Sequence, residues 1–384
     1  LVGSVQEVLA EGPSLRNRAR WSGRSPANKI VVFEPPAGAR PGALIPARVP
    51  GCVYDHIGYD AELRAKGAQL EGFLRRLARP GAAAPAPTLF ASPSSLHYRN
   101  KIVLHAARAA GAFGLDYRLE PAHRVLDIGA CPLACGPING LLRERRSSRA
   151  FDGLPDGADV TFRHTPHDGA LAWPSARDAS QALPDLLVEP SPAGPLRVPR
   201  EGFYQVNPEV GDALAREAAA WFAADRAPAD VLDLYCGVGV FGFACAATGL
   251  ADSLTGVESG RDAVAAARLN ARALGYGDAA FHCRALGRER LDLGALMPRP
   301  GRTTVILDPP REGVARDVAR ALARLRPARL LYASCDPATL TRDLSVFLER
   351  GAYRLTRVRL FDMFPRTAHF ETLAELRLTG RQGQ

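Results

Sequence analysis

Cys335 stands in the run Leu331-Tyr-Ala-Ser-Cys-Asp-Pro-Ala-Thr-Leu, just past an apolar, strand-like stretch and just ahead of a helix-like one. A free cysteine is most often an inert buried hydrophobe. A thiol at the carboxyl end of a strand, facing a helix's positive end, is instead placed to become a nucleophile with a lowered pKa. Two more segments have the same strand-then-turn shape. In Asp233-Leu-Tyr-Cys-Gly-Val-Gly-Val, Gly237 and Gly239 let the backbone approach a ligand closely at a helix N-terminus. Glu258 ends the following strand-like run, where a carboxylate holds ribose hydroxyls in nucleotide-binding α/β folds. An adenosyl cofactor is the first reading of that pair; a dinucleotide and plain turn glycines are the others. Asp308-Pro-Pro-Arg311 ends a third run, and its prolines fix the backbone so that Asp308 faces a cleft. The alternative is that Asp308 only caps a helix over 314–325.

Those turns can face one cleft only if the strands before them lie side by side. From about 201 the chain alternates apolar runs (231–235, 254–258, 305–308, 330–334) with helical periodicity over 241–248, 261–274, 314–325 and 338–349. Regular βα alternation predicts a parallel sheet with helices on both faces, and such sheets bind ligands at the carboxyl ends of their strands. The runs 353–361 and 370–378 have no helix between them and read as an antiparallel hairpin closing the sheet. Upstream, short alternating runs at 98–105, 114–119 and 124–128, separated by Gly, Pro and Asp, suggest an antiparallel sheet with one wet face. Leu63, Leu70, Leu74 and Leu77 share one stripe of an amphipathic helix over 60–78, and 81–87 reads as a linker. Residues 1–50 are rich in Pro, Gly and Arg, with one β-like run at 30–33, and read as a short irregular segment. The fold class is α/β: an irregular segment over 1–50, a smaller antiparallel α+β central domain over 51–200 and a Rossmann-like domain over 201–384.

The 384 residues, 47% hydrophobic and 23% charged, suffice for two or three domains with sizeable cores. Lys and Arg exceed Asp and Glu by 49 to 40, and the net charge of +9 favours a polyanionic partner, although a GC-rich genome biases composition the same way. No apolar run approaches the ~20 residues of a membrane span, and no basic flank leads an apolar segment at the start. The seven cysteines (Cys52, Cys131, Cys135, Cys236, Cys245, Cys283, Cys335) are scattered and odd in number, which fits reduced thiols. The expectation is a soluble, cytoplasmic monomer with no membrane partner. The chain opens on Leu1, as either processing or truncation would leave it.

The series Phe203-Tyr-Gln-Val-Asn, Asp233-Leu-Tyr-Cys-Gly-Val-Gly, Val257-Glu258, Asp308-Pro-Pro-Arg-Glu-Gly, Ser334-Cys-Asp-Pro-Ala-Thr-Leu-Thr-Arg-Asp-Leu and Asp362-Met-Phe-Pro-Arg-Thr-Ala-His-Phe-Glu371 closely resembles the RNA uracil-C5 methyltransferases that act on tRNA and 23S rRNA. The likeness covers about 201–378 with the motifs in order, and continues more weakly through 51–66, His97-Tyr-Arg-Asn-Lys and Cys131-Pro-Leu. It implies a class I methyltransferase domain, S-adenosylmethionine as cofactor and structured RNA as partner, with 23S rRNA favoured slightly over tRNA. It also implies roles. Uracil C5 is a poor nucleophile, so the Cys335 thiolate adds to C6, and Glu371 then takes the C5 proton as general base. Gln205, Tyr235, Gly237, Gly239, Glu258 and Asp308 fall to the cofactor site; Phe203, Asp308 and Arg311 fall to the substrate. Without the likeness, Glu371 reads as a solvated strand carboxylate, Gln205 as a surface amide and His369 as a neighbour that shapes the strand.

The sequence also departs from the family. Many relatives hold an iron–sulfur cluster on four cysteines, but here only Cys52 and Cys131 stand at matching places, with Cys135 nearby. Two thiolates cannot hold a cubane cluster, so neither iron nor any other metal is expected. Arg284-Ala285 stands where relatives often have a polar or acidic residue facing adenine, and Asp336 replaces a common Asn after the nucleophile. Residues 29–33 and 41–43 only faintly echo the small RNA-binding barrel of some relatives. A methyltransferase acting on another base needs no cysteine, and a cysteine hydrolase using His369 leaves the glycine loop idle. An RNA-binding or folding factor that has lost catalysis is the alternative from outside enzymology.

Overall fold

The computed structural model describes residues 5–13, 21–24, 30–33, 38, 40–42, 44–48, 54, 57–77, 84–107, 112–119, 122–150, 153–155, 157–174, 183–289 and 291–379. Strands β1 (Val5–Pro13), β2 (Trp21–Arg24), β3 (Ile30–Phe33) and β4 (Leu44–Arg48) form an antiparallel sheet in the order β3-β2-β1-β4. The expectation of an irregular segment is corrected here. These runs are short and interrupted by Pro and Gly, so it is pairing across the sheet, with β1 bonded on both sides, that makes them strands.

Helix α1 (Tyr59–Leu74) buries Leu70 and Leu74 in the same core as Leu340 and Leu344 near the C-terminus. Strand β5 (Thr88–Phe90) follows it. The middle of the chain holds β6 (Lys101–Ala107), β7 (Ala112–Leu119), β8 (Ala122–Asp127), α2 (Gly136–Ser147), β9 (Asp159–Thr165) and β10 (Gly169–Pro174). Its strands make an antiparallel sheet, β10-β9-β6-β7-β8, and α2 packs on it through Ile138 and Leu142 against Leu104 and Phe162. A hairpin of β11 (Leu186–Glu189) and β12 (Leu196–Pro199) leads to α3 (Pro208–Ala223).

The rest alternates as the apolar runs require: β13 (Ala229–Leu234), α4 (Val240–Ala246), β14 (Ala251–Glu258), α5 (Arg261–Ala273), β15 (Ala280–Cys283), the short α6 (Leu293–Leu296), β16 (Thr303–Leu307), α7 (Arg316–Leu325), β17 (Arg329–Ser334), α8 (Pro337–Leu348), β18 (Tyr353–Phe361) and β19 (Glu371–Leu378). With β5 these strands form an eight-stranded sheet, β15-β14-β13-β16-β17-β19-β18-β5. The first five strands are parallel, β19 is antiparallel to both neighbours, and β5 runs parallel to β18. Helices α3, α4 and α5 cover one face; α1, α7 and α8 cover the other. Because both faces are covered, β16 and β17 are buried at every residue, with apolar stretches at Val305–Leu307 and Leu330–Ala333.

From β13 the chain moves outward to β14 and β15, then returns to the other side of β13 as β16. That reversal opens a crevice at the carboxyl ends of β13 and β16, the place where such sheets take ligands. No helix among the described residues is long and apolar enough to cross a membrane.

Candidate active site

The turn after β13 is glycine-dependent for two different reasons. Gly237 has φ 53° and Gly239 φ 95°, both in the left-handed region. A Cβ on Gly239 would stand 2.4 Å from the Phe243 ring, whereas one on Gly237 would meet nothing within 4 Å, so the chain there borders open space. Gly242 donates its N–H to Asp233 Oδ2 at 2.9 Å and could not carry a Cβ, which would stand 2.8 Å from Leu254. Gly237, Gly239 and Gly242 together have the Gly-x-Gly-x-x-Gly spacing, so spacing alone does not separate an adenosyl ligand from a dinucleotide. Glu258, at the end of β14, braces this loop: it accepts from Gly237 N at 3.2 Å, Ser259 Oγ at 3.0 Å and Gly260 N at 2.7 Å.

Asp308 follows β16 and caps nothing, since the N-cap of α7 is Ala315; the capping alternative therefore fails. The half-buried Tyr235 has φ 63°, and its hydroxyl accepts from Ala315 N at 3.4 Å, which ties it to the start of α7. Gln205 is partly exposed, and a Cβ on Gly211 of α3 would stand 2.9 Å from its own Cβ. Phe203 is 75% exposed, against 38% for Leu89 and 37% for Leu269, so it is the one large apolar side chain held almost wholly in solvent among the described residues. Its segment is fixed by Asn207, whose amide donates to Met363 O at 3.3 Å and Ser92 Oγ at 3.1 Å.

Cys335 and Glu371 meet through strand register. Ser334 of β17 pairs with Thr372 of β19, so the residue after the first and the residue before the second lie opposite each other at the crevice edge. Glu371 is buried and Cys335 half-buried. Burial and the neighbouring Asp308 push the Glu371 carboxyl well above its usual range, against the pull of Arg311. Burial and Glu258 raise Asp308 to about 7, and burial raises Asp233 to about 8 with Asp308 and Glu258 adding to it. Asp308, Arg311, Cys335 and Glu371 thus form one charge-coupled group, which Glu258 joins through Asp308.

The expected depression of the thiol pKa is corrected. Burial, then the Glu371 charge, raise Cys335 to about 11, with Arg311 the cation opposing them. The helix end that was to lower it is already occupied: the Asp336 side chain accepts from Ala338 N and Thr339 N, both at 2.9 Å, as the N-cap of α8. In the free protein, then, peptide-mapped alkylation of Cys335 by iodoacetamide should rise about tenfold per pH unit from pH 7 to 9, as the thiolate fraction does. A rate that levels off below pH 8 would show that the thiol is activated before any ligand arrives.

Comparison with known proteins decides the family. The model of the tRNA (uracil-5-)-methyltransferase family matches residues 196–377. Over 363 residues, 85% of this chain and 78% of the other, the sequence is 31% identical to 23S rRNA (uracil(1939)-C(5))-methyltransferase RlmD of Pseudomonas entomophila. This chain belongs to the RNA uracil-C5 methyltransferase family. Within the family, the 23S rRNA (uracil(747)-C(5))-methyltransferase RlmC of a Shewanella species is 41% identical over 183 residues, a match confined to 47% of this chain and 45% of that one. The crystal structure of Pyrococcus abyssi tRNA (uracil-54, C5)-methyltransferase with S-adenosyl-L-homocysteine superposes with a TM-score of 0.68, covering 98% of this chain and all of the other at 20% identity. At that identity the likeness is one of fold: a Rossmann-like class I methyltransferase domain with a smaller antiparallel module.

Asp233 and Asn207 stand in the quoted motifs without a role, and the structure shows both buried beside the candidate site. Asp233 is fully buried, and its Oδ1 has no hydrogen-bond partner. Its place among Val231, Leu232 and Leu234, in a strand buried from Asp230 onward, was the available signal. Of the cluster-type cysteines, Cys52 lies outside the described residues, while Cys131 is buried with its N–H donated to Asn139 Oδ1 at 2.8 Å. Among the described residues no group of three or more His, Cys, Asp or Glu could hold a metal ion.

Proposed function

We propose that this chain transfers a methyl group from S-adenosylmethionine to C5 of a uridine in structured RNA through a covalent bond between Cys335 and C6. The observation that carries the reading is the pairing of Cys335 with Glu371 across β17 and β19, at the mouth of the crevice between β13 and β16. The crevice also carries Asp233 and Asp308, whose carboxyls are raised by burial and then by neighbouring carboxylates, Glu258 among them, a repulsion that a cation relieves. That favours a sulfonium over a dinucleotide's anionic pyrophosphate.

The electron accounting is simple. The Cys335 sulfur forms a bond to C6, the C5=C6 pair moves onto C5 and the carbonyl, and C5 takes the methyl group as the sulfonium becomes a thioether. The Glu371 carboxylate removes the C5 proton, the pair re-forms C5=C6, and the C6–S bond breaks to return the thiolate. Arg311, the cation that already lowers Cys335 and Glu371, stabilises the thiolate and the negative charge that develops on the ring. Removing the uridine from its stack costs a few kcal/mol, and the exposed Phe203 ring offers it a surface.

Glu258 serves the ribose of the adenosyl ligand in this reading. Glu258→Ala should weaken S-adenosylmethionine binding by ~1–3 kcal/mol, the worth of a charge-assisted hydrogen-bond pair. Superimposable calorimetric titrations of wild type and variant would remove that role.

The RNA is proposed as 23S rRNA, because both named relatives quoted above at 30% identity or more act on it. The antiparallel module of β6–β10 and α2 is the part assigned to holding it. Mapping 5-methyluridine in total RNA from strains with and without the gene tests both statements. Loss of one modified uridine from 23S rRNA is expected. A loss from tRNA instead would transfer the substrate, and no loss from any RNA would leave the methyl transfer itself without a target.

A further inference from the structure

Helix α1 carries a feature that its amphipathic pattern hides: Glu62 and Lys66, one turn apart, are both fully buried. Lys66 Nζ donates to Glu62 Oε1 at 2.7 Å, to Asp362 Oδ1 at 2.6 Å and to Phe364 O at 3.1 Å, which uses all three of its protons. Tyr59 donates its hydroxyl to Asp362 Oδ2 at 2.7 Å and accepts Ser92 N at the same distance. Glu62 Oε1 also accepts Arg366 N at 2.7 Å, and the Arg366 guanidinium lies 3.9 Å from Glu62 Oε2. Two cations and two carboxylates balance. No part of the reaction scheme uses them.

Apart from the Lys66–Glu62 and Ser92–Tyr59 bonds, all of these contacts end on one short stretch. Asp362, Phe364 and Arg366 are held by α1, Met363 by Asn207, and Pro365 by the Tyr98 hydroxyl at 3.1 Å. Arg366 stands at φ 67°, a conformation that a non-glycine residue keeps only where its surroundings over-determine it. Its guanidinium donates to Ile57 O at 3.1 Å and Ser95 Oγ at 3.0 Å and lies over the Tyr59 ring. The stretch belongs to the 362–370 connection of the β18–β19 hairpin, and Phe361 and Glu371 are the register partners at its two ends. Glu371 is therefore the first residue after a turn whose shape is imposed by a helix some 300 residues earlier in the chain.

We propose that the Lys66–Glu62–Asp362 cluster, with Tyr59, is a positioning device for Glu371, fixing the 362–370 connection so that the carboxylate lies within reach of the C5 proton. The proposal rests on the reading of Glu371 as general base. A buried ion-pair network is a poor source of stability, since well-packed apolar residues do as well or better. What it supplies is direction: the bonds fix the backbone at Phe364 and Arg366 and anchor the Asp362 side chain. Addition of Cys335 and transfer of the methyl group do not use Glu371, so loosening the turn slows elimination alone.

The test uses the full chain with methyl-labelled S-adenosylmethionine and unmodified 23S rRNA or tRNA transcripts, whichever accepts label. Two quantities are measured for wild type, Lys66→Met and Tyr59→Phe: the rate of methyl transfer in the first turnover, and the steady-state fraction of enzyme as a denaturation-stable methylated adduct. For Lys66→Met the expected result is a kcat lowered ~10-fold or more, a matching rise in adduct fraction, and a first-turnover rate within about threefold of wild type. Tyr59→Phe keeps every charge and is expected to move the same way by about threefold; it carries the test if Lys66→Met does not fold. A kcat that falls with the adduct fraction unchanged, or a first-turnover rate that falls in step, would overturn the positioning role, as would wild-type behaviour in both variants. A wild type that transfers no methyl group to any transcript would instead sink the functional reading on which the proposal rests.

Discussion

Cys335→Ala should abolish both turnover and every covalent protein–RNA species. Nothing else among the charge-coupled residues can raise the nucleophilicity of C5: Asp308 and Glu371 are raised carboxyls, and Arg311 is a cation. Without an adduct the C5=C6 pair stays in the ring, so methyl transfer should fall at least about 10⁴-fold, or ~5.4 kcal/mol in the barrier. Binding should survive, because the thiol is half-buried and follows β17, which β16 separates from the β13 that leads into the glycine loop. The check is labelled-methyl incorporation into RNA, run beside cofactor titration of the same protein. Methylation by Cys335→Ala within about 100-fold of wild type would sink the covalent mechanism, because loss of a nucleophile that cannot be bypassed costs more than that.

The raised thiol bears on when this chemistry starts. A thiol at about 11 is almost wholly protonated near neutral pH, so in the free protein the proposed nucleophile is held protected. Glu371 contributes to that protection by its charge, and in the proposed mechanism it is also the base needed later. Seating a cationic sulfonium in the acidic crevice favours the thiolate in the same electrostatic way that Arg311 does, so activation belongs to the ligand-bound state. Helix α8 does not supply it, because Asp336 has taken the helix end.

How far the sequence foretells this arrangement depends on the residue. Gly237, Glu258, Asp308 and Cys335 were legible because each stands at or just past the end of a strand with an apolar stretch, Val231-Leu232, Val257, Val305-Ile-Leu307 or Leu330-Leu-Tyr-Ala333. The sign of the Cys335 shift was not legible, because it turns on which group caps α8 and on a strand partner 36 positions later in the chain. Strand β5 has three residues and exists only because β18 offers it an edge. Helix α3 was readable from Pro208 at its start and buried Val210, Leu214, Ala218 and Phe222 at helical spacing, but a motif reading of 203–207 stops short of it. Lys66 and Glu62 are of types seldom fully buried, and only the fold shows that Asp362 and Arg366 come to meet them.

Glu371→Gln should separate two halves of the reaction that Cys335→Ala removes together. The variant keeps the size of the side chain and its place opposite Cys335, but an amide cannot accept the C5 proton. Addition and methyl transfer need no base at C5, so each enzyme should methylate one uridine and then stop. The product of that single event still holds the sulfur on C6, the new methyl group on C5 and the C5 proton in place. Elimination should slow by the ~10²–10⁴-fold that a positioned base contributes, so the methylated adduct becomes the dominant species. It should survive denaturing electrophoresis as a protein–RNA band that carries methyl label. RNA containing 5-fluorouracil should trap the wild type at the same stage, because fluorine cannot leave as a cation, and the two bands should migrate alike. The same substitution removes a negative charge that raises Cys335, so adduct formation in the variant should be no slower than in wild type and should shift toward lower pH. A Glu371→Gln protein that turns over freely would move the base elsewhere. His369 is the first residue to test, since it lies two positions earlier and burial and the Arg311 charge keep its ring toward the neutral, proton-accepting form.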